Sequence, residues 1–88
     1  MKELNIYLSN QSGLHARPAK NFVNFVKEYS SDIAVLHGEK KANGKSLISI
    51  LTLGVESGST IKIEINGEDE EAAFSSLKES IENGLLGE

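Results

Sequence analysis

The chain contains no cysteine, so neither a disulfide framework nor a thiolate metal site is open to it. It has a single proline, Pro18, and a single arginine, Arg17, and these stand side by side. Long apolar runs are also missing. The most apolar stretch, Leu47 to Val55, is interrupted by Ser49, Thr52 and Gly54 and is too short to span a bilayer. The chain opens Met1-Lys2-Glu3 and alternates at once, which does not read as a signal peptide. These absences make a soluble, cytoplasmic protein with no membrane insertion the default; separately, no metal site and no cofactor are expected.

Its 88 residues suit one domain, 1–88, with a modest two-layer core but no deep substrate cleft. Thirteen acidic residues against nine basic ones give a net charge of −4, which makes nucleic acid a poor partner unless the cations are segregated. Arg17, Lys20, Lys27, Lys40, Lys41 and Lys45 do fall in the first half, while much of the acid lies from Glu64 to Glu88. A basic face that meets an acidic protein partner and an evenly solvated surface both fit that distribution.

Period and punctuation give the elements. Leu4, Ile6 and Leu8 alternate with Glu3, Asn5 and Tyr7, as in a half-buried strand. After the polar loop Ser9 to Gly13, the residues Phe22, Val23, Val26 and Tyr29 have the spacing of a helix with one apolar face. Asp32 to Leu36 reads as a strand, His37-Gly38 as a turn, and Lys40 to Ala42 as a short returning strand. Ser46 offers an N-cap to a short helix, Leu47 to Leu53, with Gly54 at its end. Ile61, Ile63 and Ile65 define the clearest strand, Thr60 to Ile65. Asp69 can cap a last helix whose stripe is Phe74, Leu77, Ile81 and Leu85. The order β-α-β-β-α-β-α, with one apolar face per strand, predicts an open-faced two-layer α/β (α+β) sandwich: a four-stranded antiparallel sheet covered on one face by three helices.

Chemistry concentrates at Gly13-Leu14-His15-Ala16-Arg17-Pro18-Ala19. A histidine, a guanidinium and a fresh helix N-terminus in one place suit phosphate. The unpaired N–H groups there, those of Ala16 and Arg17 among them, attract an anion. The arginine fork matches phosphate oxygens, and imidazole can be the nucleophile. If His15 caps the helix, Pro18 takes the third helical position, where its missing N–H costs nothing, although a residue before proline disfavours the α region and Arg17 is expected to make the helix start irregular. Plain capping beside an incidental arginine fits the spacing too. His37, at a strand end without chemical neighbours, receives no role. Ser46 is a serine cap first. Yet Leu47, Ile48, Ile50, Leu51 and Leu53 form a band wider than a short helix can bury, so part of it should face solvent as a protein-binding patch. Phosphate on Ser46 would put about −2 charges at the rim of that patch.

Gly13 to Ala19, followed by Gly44-Lys45-Ser46-Leu47 and Leu53-Gly54-Val55, closely resembles the HPr family, the histidine-containing phosphocarriers of the bacterial phosphoenolpyruvate-dependent sugar phosphotransferase system. The likeness extends over the whole chain. It implies a carrier rather than an enzyme: His15 accepts a phosphoryl group from Enzyme I through Nδ1 and donates it to IIA components of sugar permeases, and Arg17 steadies the phosphate. It implies Ser46 as a regulatory phosphorylation site for an HPr kinase/phosphorylase, with a catabolite control transcription factor as a further partner. Lys20, Leu47, Ile48 and Leu51 are the expected partner interface, and a monomer is the default. Ile48 and Leu51 stand where methionine is frequent in Gram-positive members, Ser49 where many have glycine, and Lys20 where small residues are common.

Three other readings fit parts of the sequence. A regulatory relative acting through Ser46 would not need the intact histidine motif. An RNA-binding module shares the β-α-β-β-α-β order, but Thr60 to Ile65 offers no aromatic for base stacking on this acidic chain. A scaffolding domain leaves His15, Arg17 and Pro18 as coincidence.

Overall fold

A computed structural model describes residues 1–9, 13, 14 and 16–86. Seven elements follow in the order expected: β1 (Lys2–Tyr7), α1 (Ala16–Val26), β2 (Asp32–His37), β3 (Lys40–Asn43), α2 (Leu47–Thr52), β4 (Thr60–Asn66) and α3 (Glu70–Glu82). The strands form one antiparallel sheet in the order β1-β4-β2-β3. The most regularly alternating strand, β4, is therefore flanked on both sides, and Ile61, Ile63 and Ile65 are all buried. Burial of each contributes about 1.5–3 kcal/mol relative to an exposed side chain.

Register turns the alternation into layers. Leu4 lies opposite Ile63, Ile63 opposite Val35, and Val35 opposite Ala42, so one apolar row crosses all four strands. The helices cover this face. α3 lies over β1 and β4, α2 lies beside β3, and α1 packs on both other helices. Phe22, Val26, Ile50, Ala73 and Leu77 join the sheet residues in one core. The other face is polar: the Lys62 ammonium sits 3.5 Å from Glu3 and 3.8 Å from Glu64, and Lys41 approaches Glu64 at 3.9 Å.

Several local expectations are corrected. α1 stops at Val26, and Tyr29 lies in the turn beyond it, its N–H donating to the Val26 carbonyl at 3.1 Å and its ring 5.8 Å from that of Phe25. Leu53 is the C-cap of α2 rather than its last turn. α3 ends at Glu82, so Leu85 packs from the following turn, next to Leu86, which is fully buried.

Asp69 occupies the N-cap position of α3 but makes no side-chain cap bond. Its carboxylate instead accepts from the N–H of Ser30 at 2.8 Å, the N–H of Ser31 at 2.9 Å and the Ser31 hydroxyl. Those bonds, the Ser31 hydroxyl foremost and then the Ser30 N–H, hold the Asp69 pKa down to about 2. Gly67 permits the approach, since a Cβ there would lie 2.6 Å from the Ser31 Cα. The bond that would have capped α3 therefore ties it to the α1–β2 turn.

Candidate functional site

His15 lies outside the described residues, and the site is built from what surrounds it. α1 begins at Ala16, with Ala16 and Arg17 as its first two residues, whose N–H groups have no intrahelical partner. Pro18 is the third helical residue and is buried, as is Ala19. Arg17 lies within the helix although proline follows it. With Pro18 and Ala19 turned into the core, Arg17 and Lys20 are exposed one turn apart. No acidic residue occurs anywhere in α1, so nothing on this helix neutralises the guanidinium. The start of α1 thus presents an exposed fork of donors beside the Ala16 and Arg17 N–H groups and the positive helix end, an arrangement suited to a dianion.

The segment before α1 is fixed from elsewhere. Leu14 is buried, and its N–H donates to the Val55 carbonyl at 3.1 Å. Residues 55–59 are in turn bound to the end of β1: the Leu8 N–H donates to the Ser59 carbonyl at 2.8 Å, and the Gly58 N–H donates to the Leu8 carbonyl at 2.7 Å. Sequence reasoning assigned no function to these backbone bonds, because a carbonyl carries no residue signature.

Ser46 caps α2. Its backbone is extended, its Oγ accepts from the Ser49 N–H at 3.3 Å, and its carbonyl accepts from the Ile50 N–H at 3.1 Å. The apolar band divides: Ile50 and Leu53 are buried and Leu47 is half-buried, while Ile48 is 76% exposed and Leu51 39% exposed. Lys45 does not contribute a free cation. Its ammonium donates to the Tyr29 carbonyl at 2.6 Å, tying the start of α2 to the turn after α1.

These ties set the geometry of the pair. α2 starts beside the far end of α1 and finishes, through Val55, beside the residues that precede α1. Ser46 therefore stands at one end of α2 and the tie to the residues ahead of α1 lies beyond the other, with a helix of six residues, roughly 9 Å long, between. Ile48 and Leu51 lie on the helix between them. Of the two charge distributions left open by the sequence, a single basic face forms only in part. Arg17, Lys20 and Lys27 stand on or just after α1, whereas Lys40 and Lys41 belong to the edge strand β3. His37 ends β2, half-buried and opposite Lys40.

Among the described residues no group of three or more His, Asp or Glu side chains could hold a metal ion, and no helix is long and apolar enough to cross a membrane.

A family model for the PTS HPr component phosphorylation site matches residues 2–83. The phosphocarrier protein HPr of Borreliella burgdorferi is 49% identical over 72 residues, covering 82% of this chain and 84% of its own. The multiphosphoryl transfer protein of Salmonella typhimurium is 39% identical over 79 residues; the match takes in 86% of this chain but only 21% of that longer protein. Among solved structures, HPr-C-His from Thermoanaerobacter tengcongensis superposes with a TM-score of 0.88 at 44% identity, covering 100% of this chain and 98% of that one.

Proposed function

The chain belongs to the HPr family of phosphotransferase-system phosphocarriers, and from that premise we propose that it accepts a phosphoryl group on His15 from Enzyme I and hands it to IIA components of sugar permeases. The observation that carries this reading is the match over residues 2–83, in which His15 precedes a helix whose first turn bears an exposed arginine and no acid. In loading, His15 Nδ1 attacks phosphorus, and the P–N bond forms as the bond from phosphorus to the donor breaks. Unloading reverses this: the acceptor attacks phosphorus and the imidazole leaves, recovering its neutral form. The loose transition state spreads charge over three equatorial oxygens, so positioning and charge stabilisation do most of the work. Arg17 and the Ala16 and Arg17 N–H groups meet that charge, and the remaining catalytic groups belong to the partners.

Both partners use the same docking surface in turn: Arg17 and Lys20 on α1, then Leu47, Ile48 and Leu51 on α2. Exposed apolar side chains beside cations fit a partner whose own surface is apolar and acidic. Ser46, at the far rim, is the regulatory site. A phosphate there places charge beside the patch without touching the reacting nitrogen, which suits control of docking by an HPr kinase/phosphorylase; a catabolite control transcription factor that reads phospho-Ser46 is the further partner. The protein works as a monomer in the cytoplasm. A two-stage transfer tests the reading: label from phosphoenolpyruvate should enter the chain only with Enzyme I present, and leave it when a IIA component is added. Failure to take up label would overturn the carrier role.

A further inference from the structure

Gly13 stands in the left-handed region, with φ +65°, and is buried. A Cβ there would lie 2.5 Å from the Val55 carbonyl oxygen and 2.7 Å from the carbonyl carbon and Cα of Glu56. All three are backbone atoms, so no rotation of a neighbouring side chain relieves the contact. The same Val55 oxygen accepts the Leu14 N–H. Backbone is thus pressed on backbone at the point where the segment ahead of α1 meets the segment leaving α2. Only one residue, His15, separates buried Leu14 from Ala16, the first residue of α1. Any shift of Leu14 must be absorbed within that residue or by the first turn that carries Arg17.

We infer that Gly13 is a positioning residue for phosphoryl transfer: its missing side chain lets Leu14 latch onto Val55, and the latch fixes the backbone from which the chain enters α1 and its Arg17 turn. The inference rests on the carrier reading above. Docking needs the exposed side chains of α1 and α2, none of which the latch touches, whereas in-line transfer is sensitive to misplacement of the order of 1 Å.

The test compares Gly13→Ala with Gly38→Ala. Gly38 has nearly the same dihedral, φ +62°, but sits in the β2–β3 turn with nothing within 4 Å of an added Cβ. It controls for the strain of alanine at positive φ. Gly13→Ala should slow single-turnover transfer from phospho-Enzyme I by about tenfold or more at an unchanged half-saturating Enzyme I concentration. It should also speed exchange of the Leu14 amide and move the NMR titration midpoint of His15, while Gly38→Ala changes none of these. Should the alanine variant not fold, an ester in place of the Leu14 amide deletes the N–H that Val55 accepts without adding a Cβ, and it should slow transfer in the same way. Wild-type transfer and an unmoved His15 midpoint in a folded Gly13 or Leu14-ester variant would overturn the inference. Should wild type take no label, the carrier reading fails, and the His15 midpoint still decides the role of Gly13.

Discussion

The Asp69 carboxylate and the Ser31 hydroxyl, 38 residues apart in the chain, form a direct hydrogen bond, and the same carboxylate takes the N–H groups of Ser30 and Ser31. The bond joins the start of α3 to the turn that follows α1. An asparagine side chain in its place would leave one oxygen where two now serve three donors, and Asp69→Asn is expected to lower the melting temperature by at least about 4 °C at neutral pH. The pH dependence has a definite sign. The folded-state pKa, about 2, lies below the ordinary 3.8, so the contribution is whole above 3.8 and is lost as pH falls through about 2. Acid titration of stability should therefore be flatter between those values in Asp69→Asn than in wild type, and parallel curves would show that the carboxylate makes no such contribution.

Ile48 and Ile50 are two residues apart and have opposite fates. Ile48 is 76% exposed and Ile50 fully buried. Ile50→Ala should cost about 2–5 kcal/mol in denaturant unfolding. Ile48→Asp should stay within about 0.5 kcal/mol of wild type yet weaken Enzyme I docking, seen as a raised half-saturating concentration. Unchanged docking would remove Ile48 from the partner surface.

Ser46 separates stability from docking in another way. Ser46→Ala loses the cap bond to Ser49 and should cost about 0.5–2 kcal/mol. Ser46→Asp keeps an acceptor, adds charge at the positive helix end, and should melt at or slightly above wild type. It should nevertheless load from Enzyme I more slowly, by roughly tenfold or more if the charge must be desolvated on docking. Because Ser46 lies at the far end of α2 from the tie to the residues ahead of α1, the loss should appear in half-saturation rather than in the single-turnover limit. The reverse split would mean that Ser46 acts on the chemistry itself.

Arg17→Lys keeps the positive charge and discards the planar fork. No acid within α1 competes for the guanidinium. Single-turnover transfer should fall by about tenfold or more, with little change in docking. An unchanged rate would leave Arg17 only a charge on the surface.

The sheet was legible because burial and period coincide: Leu4 and Ile6, and Ile61, Ile63 and Ile65, face inward where alternation put them. α2 was legible from a serine cap and an over-wide apolar band, which the fold splits into buried Ile50 and exposed Ile48 and Leu51. The partners of Asp69 were not, because a cap is a local inference and these donors come from a turn 38 and 39 residues earlier. Lys45 passes for a free cation for the same reason; its partner is the carbonyl of Tyr29. Contacts whose acceptor is backbone leave no mark in side-chain pattern. That is also why the Val55 latch ahead of α1 is invisible in the sequence, although Gly13 stands in the motif.

The most direct measurement is acid-labile phosphate on the purified chain after incubation with Enzyme I and labelled phosphoenolpyruvate. Wild type should acquire one phosphate, stable in alkali and lost in acid, and His15→Ala should acquire none while keeping the wild-type circular dichroism spectrum. Label on nitrogen in folded His15→Ala, or none in wild type, would contradict a phosphoryl carrier acting through His15.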